Sequence, residues 1–156
     1  MADLRPDDFE TFYRVEAAGV YRALAVTLRD RDLAEEAAAE GLARTYQHWD
    51  RIRAYDNPAG WAYRVGFNWA TSRLRRRRRL NIHAQGDVGQ IDLPVFDPGL
   101  QAALIGLDVD QRAVVVMRYL LDLSQGEIGR LLGLPVGTVK SRLARGLARL
   151  REVVEP

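Results

Sequence analysis

The sequence of 156 residues contains no cysteine and no long apolar run. The absence of cysteine excludes disulfide bonds, thiolate metal sites and cysteine nucleophiles, and it fits a reducing compartment. No run approaches the roughly 18 apolar residues of a membrane-spanning helix. Residues 1–8 are acidic and lack the apolar segment of an export signal. We therefore expect no membrane insertion and a protein of the cytoplasm.

The motifs of common enzymes are missing as well. There is no phosphate-cradling glycine loop and no nucleophile elbow. The two histidines, His48 and His83, have no carboxylates at metal-ligand spacing. Glu35, Glu36 and Glu40 lie close together on a predicted helix, where a solvated or partner-facing surface is more common than an acid and base pair. We predict no catalytic residue, no metal and no cofactor.

Charge is nearly balanced in total but uneven along the chain. The 23 basic and 21 acidic residues leave a net charge of +2. Residues 71–80 hold six arginines and no acidic residue, and residues 112–156 hold eight basic and four acidic residues. Between them, residues 81–111 hold five acidic residues and no basic one. Every basic residue except Lys140 is arginine, which binds phosphate and guanine edges with two hydrogen bonds and stacks on bases, so the pattern favours a nucleic-acid partner.

Apolar residues recur at three- and four-residue spacing in the first half of the chain, and no stretch alternates as a strand would. A first amphipathic helix is predicted over residues 9–28. A second is capped by Asp32 and runs to about Trp49. Its predicted inner face consists of Leu33, Ala37, Gly41 and Tyr46. Residues 50–56 are predicted to form a polar and aromatic loop.

A third helix is predicted from Pro58, with Asn57 as its N-cap residue, to Arg79. Arginines in its last turns suit the negative end of the helix dipole. Its spacing predicts a core stripe of Trp61, Val65 and Trp69. Phe67 and Asn68 lie off that stripe.

The arginine run 75–79 leaves several interpretations open. A solvated helix end, a targeting patch, an anionic membrane contact and a nucleic-acid contact would all use such a run. Aromatic residues interleaved with Arg64 and Arg73 on the same helix favour nucleic acid, because this mixture stacks unpaired bases while it tracks a backbone.

Residues 81–96 lack helical periodicity and contain two glycines and a proline, so they are predicted to be a linker. They separate a domain of residues 1–80 from one of residues 97–156. The second domain is predicted to open with Asp97 as a cap. The residues predicted to face inward next are Leu100, Ala103, Leu104 and Leu107. Either Asp108 or Asp110 is expected to begin the following helix.

Residues 124–151 have the proportions of a helix-turn-helix. Ser124 and Glu127 form a capping box before a short helix with Ile128, Leu131 and Leu132 inside. A glycine-containing turn at residues 133–135 separates it from a basic last helix that begins at about Val136 and buries Val139, Leu143, Leu147 and Leu150. An ordinary helical hairpin with a solvated basic face is the alternative interpretation.

Several stretches carry a family resemblance. Residues 123–128 (LSQGEI) and 136–143 (VGTVKSRL) closely resemble region 4 of bacterial sigma factors. Residues 34–46 resemble region 2.2, and residues 61–68 (WAYRVGFN) resemble regions 2.3 and 2.4. Because regions 1.1 and 3 have no counterpart, the chain resembles the extracytoplasmic-function (ECF) group of the sigma-70 family over about residues 8–154.

The resemblance implies an all-α fold of two small domains, a region 2 helical bundle and a region 4 helix-turn-helix, joined by a flexible linker. It implies that the protein directs promoter-specific transcription initiation. The implied partners are core RNA polymerase, contacted at its clamp helices and flap, and promoter DNA. An anti-sigma factor is plausible as a masking partner. The rival hypotheses are a stand-alone helix-turn-helix regulator and a structural adaptor for anionic lipid or RNA.

The resemblance also implies roles for individual residues. Core polymerase would be bound by Glu35, Glu36, Glu40 and Arg44. One base of the minus-10 DNA would be flipped into a pocket that reads its pairing edge. The residues that would bind minus-10 DNA are Ile52, Tyr55, Asn57, Trp61, Arg64, Asn68, Arg73, Arg75 and Arg76. Minus-35 DNA would be bound by Thr138, Lys140, Ser141, Arg142, Arg145 and Arg149.

Two departures from the family pattern have consequences. Ala39 replaces the usual glutamine before the region 2.2 glutamate, and Gly41 and Leu42 replace the aromatic or leucine that usually follows it. We therefore expect a modest affinity for core polymerase. In the base-capture loop the large side chain that the family often places there is either Ile52 or Tyr55, and the sequence does not choose between them.

Overall fold

The computed structural model describes residues 8–80 and 98–154, which form α-helices without a strand, as the sequence predicts. The first stretch contains α1 (Phe9–Leu28), α2 (Arg31–Gln47), α3 (Trp49–Ile52) and α4 (Pro58–Arg79). The second contains α5 (Pro98–Ile105), α6 (Val109–Tyr119), α7 (Gln125–Leu132) and α8 (Val136–Val154). Contacts divide the chain after Gly89 into two compact units, called here the first and second unit. The predicted linker, His83 and the predicted Asp97 cap lie outside the described residues.

Side-chain caps set where the helices of the first unit begin. Asp8 accepts a hydrogen bond from the Thr11 amide at 2.7 Å, and the bonds from Thr11 lower the pKa of this carboxyl. The prediction of Asp32 as the cap of α2 is wrong, because Asp30 accepts from the Leu33 amide at 3.0 Å. Asp32 instead lies in the first turn, where its charge suits the helix dipole.

The segment after α2 differs from the prediction. The helix ends at Gln47, and part of the predicted loop forms the short helix α3. Trp49 and Ile52 are 8% and 0% exposed. Since residues three apart share a helix face, burial of both side chains draws this segment into a helical turn. The connection to α4 is consequently shorter, and Asn57 caps α4 by accepting from the Gly60 amide at 2.8 Å, as predicted.

Helices α2 and α4 cross at two glycines. A Cβ on Gly41 would overlap the carbonyl oxygen of Ala62, and a Cβ on Gly66 would lie 2.5 Å from the carbonyl oxygen of Ala37. Each glycine therefore faces the backbone of the opposite helix. The departure from the family pattern at Gly41 has this physical reason, because any side chain there would push the helices apart.

One buried polar pair sits beside this crossing. The Thr27 hydroxyl donates to the Ala23 carbonyl at 2.8 Å, and it lies 2.8 Å from the Tyr63 hydroxyl. Because the Thr27 proton goes to Ala23, Tyr63 is the donor in the second bond. Thr27 and Tyr63 are both fully buried, and the pair links α1 to α4 while satisfying both hydroxyls.

The predicted core of the first unit needs correction at several aromatic residues. Tyr46, predicted to face inward, is 65% exposed. Phe67, predicted to lie off the core stripe, is buried. Trp61 and Trp69 are half-buried, whereas Val65 is buried as predicted. The core side of α4 is rotated relative to the predicted stripe, because the Gly66 contact brings Tyr63 and Phe67 inward.

The second unit follows its prediction more closely. Ala103, Leu104 and Leu107 are buried, and Asp108, rather than Asp110, caps α6 by accepting from the Gln111 amide at 2.8 Å. Arg112 is 8% exposed and donates to the carbonyls of Leu104 and Leu107, which ties the end of α5 to α6. In the helices that follow, the predicted core residues that are half-buried rather than buried are Leu131, Leu132 and Leu147.

We predict that Gly41→Ala and Gly66→Ala each lower the free energy of unfolding of the first unit by about 2 kcal/mol or more, because the added methyl group separates α2 from α4. Urea unfolding followed by tryptophan emission measures this directly, since all three tryptophans, at positions 49, 61 and 69, lie in the first unit.

Gly19→Ala is the matched control. A Cβ at Gly19 meets nothing within 4 Å, so alanine is expected to raise the free energy of unfolding by about 0.5 kcal/mol through its helix propensity. Equal effects of all three substitutions would contradict a backbone contact at the crossing.

Candidate protein and nucleic-acid interfaces

The glutamates of α2 that are predicted to bind polymerase lie on two sides of the helix, with Glu36 and Glu40 on one side and Glu35 on the other. Glu35 and Glu36 are exposed, and Glu40 is half-buried. The Arg44 guanidinium donates to the Glu40 carboxylate at 3.0 Å, so these two charges largely offset each other. Glu35 borders α1, whereas Glu36 lies 3.9 Å from Arg73 of α4. Glu36, Glu40 and Arg44, at four-residue spacing, therefore share one face of α2, and Glu35 lies apart from them on the side of α1.

An apolar groove runs between α1 and α2, with a volume of about 500 Å³. From α1 it is lined by Phe9, Tyr13, Ala17 and Tyr21, and from α2 by Glu35, Ala38, Ala39, Leu42, Ala43 and Tyr46. Tyr13 is 51% exposed, so the groove opens to solvent. Ala39, which replaces the usual glutamine of the family pattern, contributes a small side chain to its lining.

The sequence does not predict this groove, because the apolar residues of α1 have the spacing of a single face of an amphipathic helix. A usable signal was present. The predicted apolar face of α1 is wider than one packing partner needs, since Tyr13 and Ala17 extend it beyond the buried residues Phe12 and Val20.

A cluster of aromatic rings fixes one end of the groove. The Phe9 ring lies 5.1 Å from the Tyr46 ring in an edge-to-face arrangement and 5.7 Å from the Trp49 ring. The Phe12 ring lies 5.0 Å from Trp49. Contacts of this kind add about 0.5–1.5 kcal/mol beyond burial. They hold the start of α1 against α3 and thereby position the loop that follows α3.

The predicted base-capture loop contains both buried and exposed residues. Ile52 is fully buried, so the prediction of Ile52 as a base-capturing side chain is wrong. Tyr55 is 36% exposed. The Asn57 side-chain oxygen is occupied by the Gly60 amide, which leaves its NH₂ group for a partner. Of the two alternatives for the loop, only Tyr55 offers a surface.

The predicted minus-10 residues of α4 fall on two faces of the helix. Trp61, Arg64, Asn68 and Arg75 recur at three-, four- and seven-residue steps and therefore share one face. Asn68 and Arg75 are exposed, and Trp61 and Arg64 are half-buried. The Arg64 Nε is buried and has no hydrogen-bond partner within residues 8–80 and 98–154. Arg73 lies on the second face, toward α2, with Arg76 on the same side of α4.

The helix-turn-helix is built as predicted. Ser124 accepts from the Glu127 amide at 3.1 Å, and Gly133 ends α7 with a φ of 67°, which glycine adopts without strain. Gly129 contacts the turn, since a Cβ there would lie 2.8 Å from the Leu134 carbonyl oxygen. Val139 and Leu143 fix the inner side of α8 in the core.

The outer face of α8 is cationic along both edges. At 100° per residue, Ser141 lies on the side of α8 opposite the core. Lys140 lies on one side of Ser141, and Arg145 and Arg149 lie on the other side. All four side chains are exposed, whereas Thr138 and Arg142 are half-buried at the border of the core. The centre of this face carries small residues, so a ligand can approach the helix closely between the charges.

The part of the chain that the structure describes contains neither a candidate metal site nor a membrane-spanning helix. No group of three or more histidine, aspartate or glutamate side chains there could hold a metal ion. None of the described helices is both long and apolar enough to cross a membrane.

Comparison with known proteins places both units in one family. Residues 12–80 match the model of Sigma-70 region 2, and residues 99–150 match that of Sigma-70, region 4. The chain is 32% identical over 157 aligned positions to the RNA polymerase sigma-E factor of Streptomyces avermitilis. The alignment covers 95% of this chain and 86% of that protein. It is 28% identical to the ECF RNA polymerase sigma factor SigM of Mycobacterium tuberculosis, over 94% and 76% of the two chains.

Solved structures share the fold. The sigma factor RpoE of Bartonella quintana, crystallised with the anti-sigma factor NepR, superposes with a TM-score of 0.78 at 22% identity, over 96% of this chain and 98% of that one. CnrH, solved in complex with the cytosolic domain of CnrY, has a TM-score of 0.62 at 20% identity, over 94% and 87% of the two chains. At these identities the likeness concerns the fold alone.

We predict that Gly129→Ala lowers the stability of the second unit by about 1–3 kcal/mol, because the methyl group displaces the turn that sets the angle between α7 and α8. Thermal unfolding followed by circular dichroism measures the loss. Gly137→Ala is the control, since a Cβ at Gly137 meets nothing within 4 Å. Unchanged unfolding of the Gly129 variant would contradict the tight turn.

Proposed function

The chain belongs to the ECF group of the sigma-70 family, and on this premise we propose how its two units divide the work of a sigma factor. As a sigma factor it binds core RNA polymerase and directs promoter-specific transcription initiation. The first unit binds the polymerase and opens DNA at the minus-10 element, and the second unit holds the minus-35 element. The observation that carries this proposal is the match of both sigma regions, in order, to units that each expose a cationic helix face.

Polymerase docks on the groove between α1 and α2. Its apolar lining suits the ridge of a helix, and Glu35 at its edge suits a basic flank on that helix. The clamp helices of the polymerase are the partner here, and the flap contacts the second unit. Glu40 and Arg44 neutralise one another, so apolar burial contributes more to this contact than the charges do.

Minus-10 DNA is captured by the loop after α3 and the outer face of α4. Tyr55 provides the aromatic surface against the flipped base, with the Asn57 amide and Asn68 beside it. Arg64 lies half-buried on the same face of α4, and the exposed part of its side chain contacts a phosphate of the nontemplate strand. Arg75 and Arg76 continue the cationic track toward the end of α4.

Minus-35 DNA is held in its major groove by α8. Lys140 and Arg145 flank the small residues at the centre of the face, where base edges can be approached, and Arg149 reaches a phosphate further along. Ser141 lies at the centre and contacts a base edge. Thr138 and Arg142, half-buried, position the helix against the DNA backbone.

Two further properties complete the proposal. The factor works in the cytoplasm, with its polymerase, and carries out no covalent step itself, in keeping with a family that is not one of enzymes. An anti-sigma factor masks its surfaces; the structurally similar RpoE of Bartonella quintana was crystallised in complex with the anti-sigma factor NepR.

Asn68→Ala is expected to lower promoter opening about tenfold while leaving binding to core polymerase unchanged, because a contact to the flipped base compensates the cost of unstacking it. Opening is measured by permanganate reactivity of thymines, and polymerase binding by co-elution. Ser72→Ala, an exposed change one turn further along α4, is the control and should retain both. Loss of both activities in the Asn68 variant would instead indicate a folding role.

Arg145→Gln is expected to reduce the steepness of the salt dependence of duplex binding. Each phosphate contact contributes about 0.9 to the slope of log affinity against log salt concentration, so the slope should become shallower by about that amount. The full chain and a minus-35 duplex serve for the titration. Arg118→Gln on α6, where the arginine pairs with Asp122 at 3.7 Å, should leave the slope unchanged. An unaltered slope in the Arg145 variant would exclude a phosphate contact.

A further inference from the structure

The core side of α8 lacks a side chain at one position. Three of the residues at the centre of this side are large and buried, namely Val139, Leu143 and Leu150. The fourth is Gly146, which is also buried and lies within about 60° of the other three around the helix. Glycine lowers helix stability relative to alanine, so its presence in the middle of a long helix calls for a reason.

Gly146 allows α8 to lie close to α6. A Cβ at this position would lie 3.0 Å from Val115 Cγ2, 3.9 Å from Leu107 Cδ1 and 4.0 Å from the Gln111 carbonyl oxygen. Val115 is 5% exposed, and a β-branched side chain has essentially one χ1 rotamer in a helix, so Val115 cannot turn aside. Since carbon atoms in contact lie about 3.5–4.0 Å apart, a side chain at position 146 would displace α8 from α6 by about 0.5–1 Å.

Such a displacement would tilt α8, because the start of this helix is held separately. Val139 is fully buried, and Gly129 lies against the carbonyl oxygen of Leu134 just before α8 begins. Gly146 is about 10 Å further along the axis than Val139. An outward push at Gly146 would therefore move Arg149 away from the core while Lys140 stays almost in place.

The outer face of α8 is sensitive to a tilt of this kind. Between residues 137 and 148 the centre of this face consists of small, exposed residues, namely Gly137, Ser141, Ala144 and Ala148. Lys140 and Arg149 border it near its two ends, about 14 Å apart along the axis. A ligand that lies close to the whole face meets both ends only at one inclination of the helix, and binding geometries of this kind need to be held within about 0.5 Å.

We propose that Gly146 is a positioning residue for minus-35 recognition. By letting α8 lie close to α6, it sets the inclination at which both ends of the cationic face reach DNA together. Gly146 itself touches no DNA. The inference rests on the proposed minus-35 role of the second unit and deepens it.

The test compares Gly146→Ala with the unmodified full chain, below the unfolding temperature of both. The probe is a short duplex that the unmodified chain enriches from a randomised pool, and a scrambled duplex of the same composition is the reference. Gly146→Ala is expected to weaken binding to the enriched duplex at least fivefold and to the scrambled duplex less than twofold. The slope of log affinity against log salt concentration should become shallower by about 0.9, because one phosphate contact is lost although every charged residue is retained.

Val115→Ala provides the rescue. Removal of the methyl groups that oppose position 146 lets α8 return toward α6, so the double variant of Gly146→Ala with Val115→Ala should regain the original slope and an affinity within twofold of the unmodified chain. Val115→Ala alone leaves a cavity and lowers the unfolding temperature. It should nevertheless change binding less than twofold, which separates loss of stability from loss of position.

Gly106→Ala is the matched control. A Cβ at Gly106 would meet only the carbonyl oxygen of Ala103, at the ordinary contact distance of 3.5 Å. The same substitution at this position should leave both affinities and the salt slope unchanged.

Three results would overturn the positioning role: unchanged affinities and slope in a folded Gly146→Ala chain, a loss that the double variant does not recover, or an equal loss in Val115→Ala alone. The last two would mean that Gly146 contributes to stability only. Failure of the proposed function gives a different result, because the unmodified chain would then enrich no duplex at all, and the positioning role would fail with it.

Discussion

The contact between the backbones of α2 and α4 at Gly41 and Gly66 is the constraint on which the first unit depends. Glycine within a helix costs about 1 kcal/mol relative to alanine, so two such residues at one crossing need a compensating contact. The close approach supplies it, since each glycine lies against the backbone of the other helix next to Ala37 and Ala62. The buried hydroxyl pair of Thr27 and Tyr63 then adds α1 to the same core.

This crossing joins two surfaces with different partners. The groove that we assign to polymerase uses the side of α2 that faces α1, and the DNA surface uses the outer sides of α4. Because the helices touch through backbone, with no flexible side chain between them at the glycines, the two surfaces keep a fixed relative position. Glu36 of α2 and Arg73 of α4 form an ion pair at the edge where these surfaces join.

Much of the fold follows from local patterns in the sequence. Helical periodicity, the caps Asn57 and Ser124 and the turn at Gly133 depend on neighbouring residues, so a single sequence is sufficient to find them. Asp30 was missed because Asp32, two residues later, is an equally good cap by residue type. The contact at Gly41 and Gly66 joins positions far apart in the chain, and the sequence around neither glycine indicates which helix it will contact.

The interfaces were predictable to a smaller extent. The family resemblance supplies the residues of α8, and the structure exposes most of them as a cationic face. In the first unit the same kind of inference fails at Ile52, because an apolar residue in a loop motif can either capture a ligand or anchor the loop, and burial decides. The apolar groove was hidden for the opposite reason, since Tyr13 and Tyr46 have the spacing of core residues but lie at the surface.

As a sigma factor, this chain turns core RNA polymerase into a promoter-specific enzyme. The most direct measurement adds the purified chain to core polymerase and a library of genomic DNA fragments, then maps the 5′ ends of the transcripts. We expect discrete start sites at a fixed distance from two shared sequence elements, and we expect none of them with core polymerase alone. Binding of the chain to duplex DNA without any polymerase-dependent transcript would contradict it and favour a stand-alone regulator.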